Sequence, residues 1–155
     1  MNFETIKTEI ESFDFFDFTG GVEDTIINEA SNAIALPFPP EYREFLKQLG
    51  AGGVSSEEFI GLGGADHINV VMIFNHLREP SKFSVFPESF IPIRSDGYGN
   101  YDCIDTKSPT SMGEFKIVAW LHDGGDNQVC EELSTSYWEW FLSILDMVRE
   151  LDSEE

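Results

Sequence analysis

Three histidines, two cysteines and a dense scatter of carboxylates are the groups in this chain that chemistry can use. His67, His76 and His122 stand apart, with no H-x-x-x-H or H-E-x-x-H spacing and no cysteine pair to complete a zinc ligand set. They read as loop or surface histidines. Cys103 and Cys130 lack C-x-x-C spacing, so they read as small buried hydrophobes. Asp96-Gly97-Tyr98-Gly99-Asn100 and Asp123-Gly124-Gly125-Asp126-Asn127 carry oxygen ligands of the calcium type, but neither has the glutamate that closes an EF-hand loop. Asp-Gly and Gly-Asn are also what tight turns require. Gly61-Leu62-Gly63-Gly64 is not followed by the lysine of a phosphate cradle. No nucleophile elbow or Cys–His spacing is present. The chain reads as a non-enzyme that needs no metal or cofactor.

A binding surface is what remains, and charge points to its partner. Twenty-nine acids against nine bases give a formal net charge of −20. Such a field repels nucleic acid and anionic membranes and speeds encounter with a basic protein. Residues 117–155 hold ten acids and a single base, Arg149. Tyr137, Trp138 and Trp140 are set among those acids, and an aromatic ringed by carboxylates is the composition of a hot spot for a basic partner. The candidate contact residues are Asp123, Asp126, Glu131, Glu132, Trp138 and Glu139. Glu57 and Glu58, with Glu29 and Glu41, form a second candidate acidic patch near the Gly-rich run.

The elements that must position these residues follow from periodicity. The helix within residues 36–53 is the clearest. Pro39 and Pro40 suit a first turn, Tyr42, Phe45, Leu46 and Leu49 recur at i, i+3, i+4 and i+7, and Gly50 supplies a left-handed stop. Phe3, Ile6, Ile10 and Phe13 predict a helix over residues 2–13, and Val22, Ile26, Ala30 and Ala33 a second one. Phe13, Phe15, Phe16 and Phe18, interleaved with Asp14 and Asp17, read as a crowded turn between those two. Residues 57–62 read as a short strand, and 68–73 fits a helix capped by Asp66 or a strand equally well. Strands are predicted over 90–94, 101–105 and 115–121, the last with Phe115, Ile117 and Ala119 on one face. Residues 122–128 read as loop. Ser134 or Ser136 caps a last helix whose buried stripe is Tyr137, Phe141, Ile144, Leu145, Val148 and Leu151. Helices at both ends of a run of strands predict an α+β fold with a mostly antiparallel central sheet, in one domain over residues 1–155.

Several of these motifs also resemble a known family. Leu36-Pro37, then Tyr42 with Phe45-Leu46 and a Gly-rich exit, resembles the signature helix of the SUKH superfamily, and Glu29 matches the acidic position these proteins keep seven residues before. Ile91-Pro92-Ile93, Asp96-Gly97, Gly99-Asn100 and the 101–105 strand resemble the family's central hairpin. Trp120, His122-Asp123, Ser136-Tyr137 and Phe141-Leu142 resemble its closing strand and last helix. Order and spacing hold from about residue 22 to about 145. One departure is Phe38-Pro39, an apparent insertion that would alter the entry angle of the helix.

The resemblance implies an immunity protein of a bacterial polymorphic toxin system, related to the fungal cell-wall-synthesis regulator. Its partner would be a cognate protein toxin, often nucleic-acid-directed, whose basic active site an acidic surface can occlude. The alternatives are a regulatory scaffold with several protein partners and a small-ligand domain built on the Gly-rich run and the 96–100 turn. The N-terminus has acids where a signal peptide needs a basic region, and no apolar run approaches the roughly 18 residues of a membrane helix, so a cytoplasmic location is expected.

Overall fold

The computed structural model describes residues 1–80 and 84–154. Helix α1 (Phe3–Glu11) starts where Asn2 Oδ1 accepts the Thr5 N–H at 3.1 Å, satisfying a donor that the first turn leaves free. Ile6 and Ile10, one turn apart, are its buried residues. Helix α2 (Asp24–Ile34) buries Ile27, Ala30 and Ile34 and ends at Ala35 in the left-handed region, with the Leu36 N–H turned back to the Ser31 carbonyl. Helix α3 (Pro40–Gln48) has Pro40 in its first turn and buries Tyr42, Phe45 and Leu46, as its spacing predicts. Phe38, in the apparent insertion, is buried, with its ring edge-on to Tyr42 at 5.3 Å, and so anchors the entry to α3.

The glycines after α3 answer to close packing. Gly50 has φ 76°, and a Cβ there would lie 2.3 Å from the Gly20 carbonyl oxygen. A Cβ on Gly61 would lie 1.9 Å from the Gly50 carbonyl oxygen, to which Leu62 donates its N–H at 3.0 Å. Two stretches of main chain run in contact here, and only glycine permits it.

Strands β1 (Phe16–Phe18), β2 (Gly52–Val54) and β3 (Glu57–Phe59) form an antiparallel sheet in that order. The expected Phe-rich turn is therefore in part a strand; its ladder partner is 38 residues ahead, where Val54 faces Phe16, and no local pattern reveals it. After a 3-10 turn (Asp66–Ile68) comes α4 (Val70–Leu77). Asn69 decides helix over strand here, its Oδ1 accepting the Val71 and Met72 N–H groups at 3.0 and 3.1 Å, while Asp66 lies in the turn before it.

The second sheet runs β4 (Phe90–Ser95), β5 (Tyr101–Pro109), β6 (Phe115–Trp120) and β7 (Glu131–Ser134), all antiparallel. Ile117, Val118 and Trp120 are all buried, not only alternate residues, because both faces of β6 are covered in places. The Ile60 N–H donates to the Ile93 carbonyl at 3.0 Å, so β3 and β4 abut and the two sheets meet. Between β4 and β5, Asp96 closes the 96–100 turn by accepting the Tyr98 and Asn100 N–H groups, with Gly97 and Gly99 at positive φ. The last helix, α5 (Tyr137–Ser153), is capped by Ser136, whose Oγ accepts the Glu139 N–H. Leu151, expected in its buried stripe, is 51% exposed. The architecture is α+β, with antiparallel sheets flanked by N-terminal helices and a long C-terminal helix. Among the described residues no helix is long and apolar enough to cross a membrane.

Candidate functional site

Five of the six candidate contact residues are exposed. Asp123 and Asp126 stand on the loop from β6 to β7, Glu131 and Glu132 on β7, and Glu139 in the first turn of α5. Among the described residues β7 pairs only with β6, so it is an edge of the sheet. Asp126 also fastens its loop, accepting the Val85 N–H at 2.8 Å, and Glu132 pairs with Lys116 at 2.8 Å. Exposed apolar residues stand in the same segments: Val129 is fully exposed, and Leu121 and Leu133 are partly so. Sequence reasoning passed over them; the one signal was an apolar Val129 with no periodic partner.

Trp138 overturns the expectation that it faces a partner. It has no exposed surface and lies among the rings of Phe3, Phe45, Tyr137 and Phe141. α1 and α3 both pack against α5, so the buried face of its first turn is wider than one stripe. Its indole N–H needs an acceptor there and finds Glu44 Oε1 at 3.1 Å; the buried Trp140 N–H finds Asp102 Oδ2 at 3.0 Å. The aromatics lie beside carboxylates because buried indoles need acceptors.

A second set of carboxylates holds the helix starts together. Glu114 Oε2 accepts the Glu41 N–H at 3.2 Å in the first turn of α3, and Glu41 Oε1 accepts the Trp138 N–H at 2.8 Å in the first turn of α5. Burial pushes the Glu114 carboxyl up to about 7; the Glu41 charge adds to this, while the Glu41 and Tyr137 N–H groups oppose it. A folded-state value raised above the ordinary 4.5 contributes stability below 4.5 that is lost as pH rises through about 7. Glu114→Gln keeps an acceptor for Glu41 and cannot ionise. The melting temperature of the wild type relative to this variant is expected to fall between pH 4.5 and pH 7 and then level off. A difference flat with pH would refute the assignment.

The proposed acidic patch around Glu57 does not survive as one surface. Glu57 is drawn inward to Arg94 (2.9 Å), which also bonds Asp102 (3.2 Å), while Glu41 caps α5 and Glu29 stands on α2. Glu58 pairs with His67 at 2.9 Å. Elsewhere His76 lies 3.8 Å from Glu79, and His122 meets Asn100 Oδ1 at 2.9 Å. Cys103 is buried, Cys130 is half-buried, and neither forms a disulfide. Nothing in these arrangements pairs a nucleophile with a base.

The surface therefore offers binding chemistry: carboxylates and a few aliphatic groups along one sheet edge. A family model described as SMI1-KNR4 cell-wall, of the SUKH type, matches residues 4–146. No curated protein matches the chain. The match begins in α1, takes in both sheets and ends within α5, so the fold and the family model agree along nearly the whole chain. This protein belongs to the SMI1-KNR4, or SUKH, family.

Proposed function

We propose that this chain is an immunity protein that binds a basic toxin domain and covers its active site without catalysing a reaction. SUKH domains are generally non-catalytic immunity proteins, which supports the reading at family level. The observation that carries it is the β7 edge with its approaching loop. Asp123, Asp126, Glu131 and Glu132 stand exposed there in the same segments as Val129 and Leu133, with Glu139 at the start of the next helix. Carboxylates interspersed with exposed apolar residues suit a phosphate-binding cleft, where a toxin needs cations and an accessible floor. Lys47, Arg78, Arg94, Lys116 and Arg149, five of the nine bases, are already matched by carboxylates in ion pairs.

Capture from the native cells on the tagged protein, with elution by rising salt, identifies the partner. The triple substitution Asp126→Lys, Glu131→Lys and Glu132→Lys is then expected to slow association by a factor on the order of 10–1000 at low salt and to flatten its salt dependence. The double substitution at Glu131 and Glu132 spares the Asp126 bond to Val85 and is expected to follow the same direction. Toxin affinity unchanged by both variants would remove this surface from the interface.

A further inference from the structure

The two sheets meet at β3 and β4, which leaves β1 and β7 as the outer edges. They are finished differently. β7 is short and acidic and carries a register shift opposite Ile117 and Val118, the devices by which an edge resists a further strand. β1 runs unshifted against β2, Phe16 opposite Val54, Asp17 opposite Gly53 and Phe18 opposite Gly52. The Ser55 N–H donates to the Phe15 carbonyl and the Thr19 N–H to the Ala51 carbonyl, both at 2.8 Å. Residues 15, 17 and 19 therefore direct their main-chain groups inward to β2. Antiparallel alternation turns the N–H and C=O groups of Phe16 and Phe18 outward.

Those outward groups face a groove, not open solvent. It has a volume of about 730 Å³ and lies between the edge of β1 and helix α1. Phe3, Ile10 and Leu49 contribute apolar lining, and Phe16 stands 45% exposed at its side. Among the described residues, Glu4, Glu11 and Asp17 line it against a single base, Lys7. Phe15, 77% exposed, and Asp14 flank the strand at its start. A helix and an unpaired strand edge enclosing an apolar groove is the geometry in which an extended peptide adds as a strand; main-chain bonds supply affinity and alternate side chains supply choice. At about 3.3 Å per residue, three or four residues would run the length of β1.

We propose that the α1–β1 groove binds an extended basic segment of a protein partner as an added strand beside β1. Its apolar side chains would pack in the groove and its Lys or Arg side chains would meet Glu4, Glu11 and Asp17. Charge selects this occupant: a second copy would bring the same carboxylates against themselves. This surface is separate from the β7 acids and stands or falls without them.

The test uses the whole protein with a synthetic hexapeptide of alternating lysine and valine, observed by amide NMR. Binding is expected to perturb α1 and β1 and to slow exchange of the Phe16 and Phe18 amides. An alternating glutamate–valine peptide is expected not to bind. A lysine–valine peptide N-methylated at alternate amides keeps its charge and is expected to bind about tenfold more weakly, because strand bonds are lost. Glu11→Lys with Asp17→Lys, both at exposed positions, is expected to abolish binding while preserving the spectrum elsewhere. Perturbations confined to β7, equal affinity for the methylated peptide, no binding at millimolar peptide, or a dimer already paired through β1 would each overturn the proposal.

Discussion

Replacing Arg94 with alanine is expected to destabilise the fold by about 3–5 kcal/mol, because the guanidinium is the shared partner of two largely buried carboxylates. Its Nε and Nη2 donate to Glu57 at 2.9 and 3.3 Å, and Nη1 donates to Asp102 at 3.2 Å. The three side chains are only 12–19% exposed, so water cannot replace the lost cation as it does at the surface. Burial lowers the hold of Arg94 on its proton, but the two carboxylates outweigh this and raise it; burial pushes Asp102 up against the Trp140 N–H and the Arg94 charge. The group ties β3, β4, β5 and α5 together at the junction of the two sheets. In Arg94→Ala the stranded carboxylates can be relieved by protonation, so the deficit is expected to shrink from pH 8 to pH 4.5. Urea denaturation of both proteins at the two pH values measures it. A loss below about 1 kcal/mol at pH 8, the size of an exposed ion pair, would show that the cluster contributes no more than a surface contact.

Phe45→Ala is expected to cost a similar 3–5 kcal/mol, through a cavity and not through charge. Phe45 has no exposed surface, and its ring centroid lies 5.3–6.4 Å from those of Phe18, Tyr42, Phe59, Tyr137, Trp138 and Phe141. These rings come from β1, α3, β3 and α5, so a void here loosens four elements at once. For a chain of this size such a loss lowers the melting temperature by roughly 10 °C or more. Phe45→Leu fills part of the space and is expected to recover part of the loss. Unlike Arg94→Ala, neither variant should show a deficit that depends on pH. An alanine variant within about 1 kcal/mol of wild type would mean that the surrounding rings collapse into the space.

Four of the five helices were legible in the sequence because their information is local, while α4 was left open between helix and strand. Tyr42, Phe45 and Leu46 stripe one face at fixed spacing, Pro40 starts the helix and Gly50 ends it, whatever they later touch. The α+β class and the family resemblance rest on the order of such local signals, and the family match over residues 4–146 accords with both. Of the short strands, β3 falls within the expected 57–62, whereas β1, β2 and β7 were not legible. β1 is three residues long and is a strand only because 52–54 lies beside it, and β7 has three exposed residues in four and no apolar alternation.

The candidate surface divides along the same line. Net charge is additive, so the sequence alone determined that the protein is strongly acidic and suited to a cationic partner. It could not determine which acids face water. Glu139 and Glu131 do; Glu114 and Asp102 serve buried N–H groups and a guanidinium. Nor could it place Trp138, whose burial depends on α1 and α3 arriving from some hundred residues away in the chain. Periodicity identifies the apolar side of a helix, but tertiary packing sets how far around the helix that side extends.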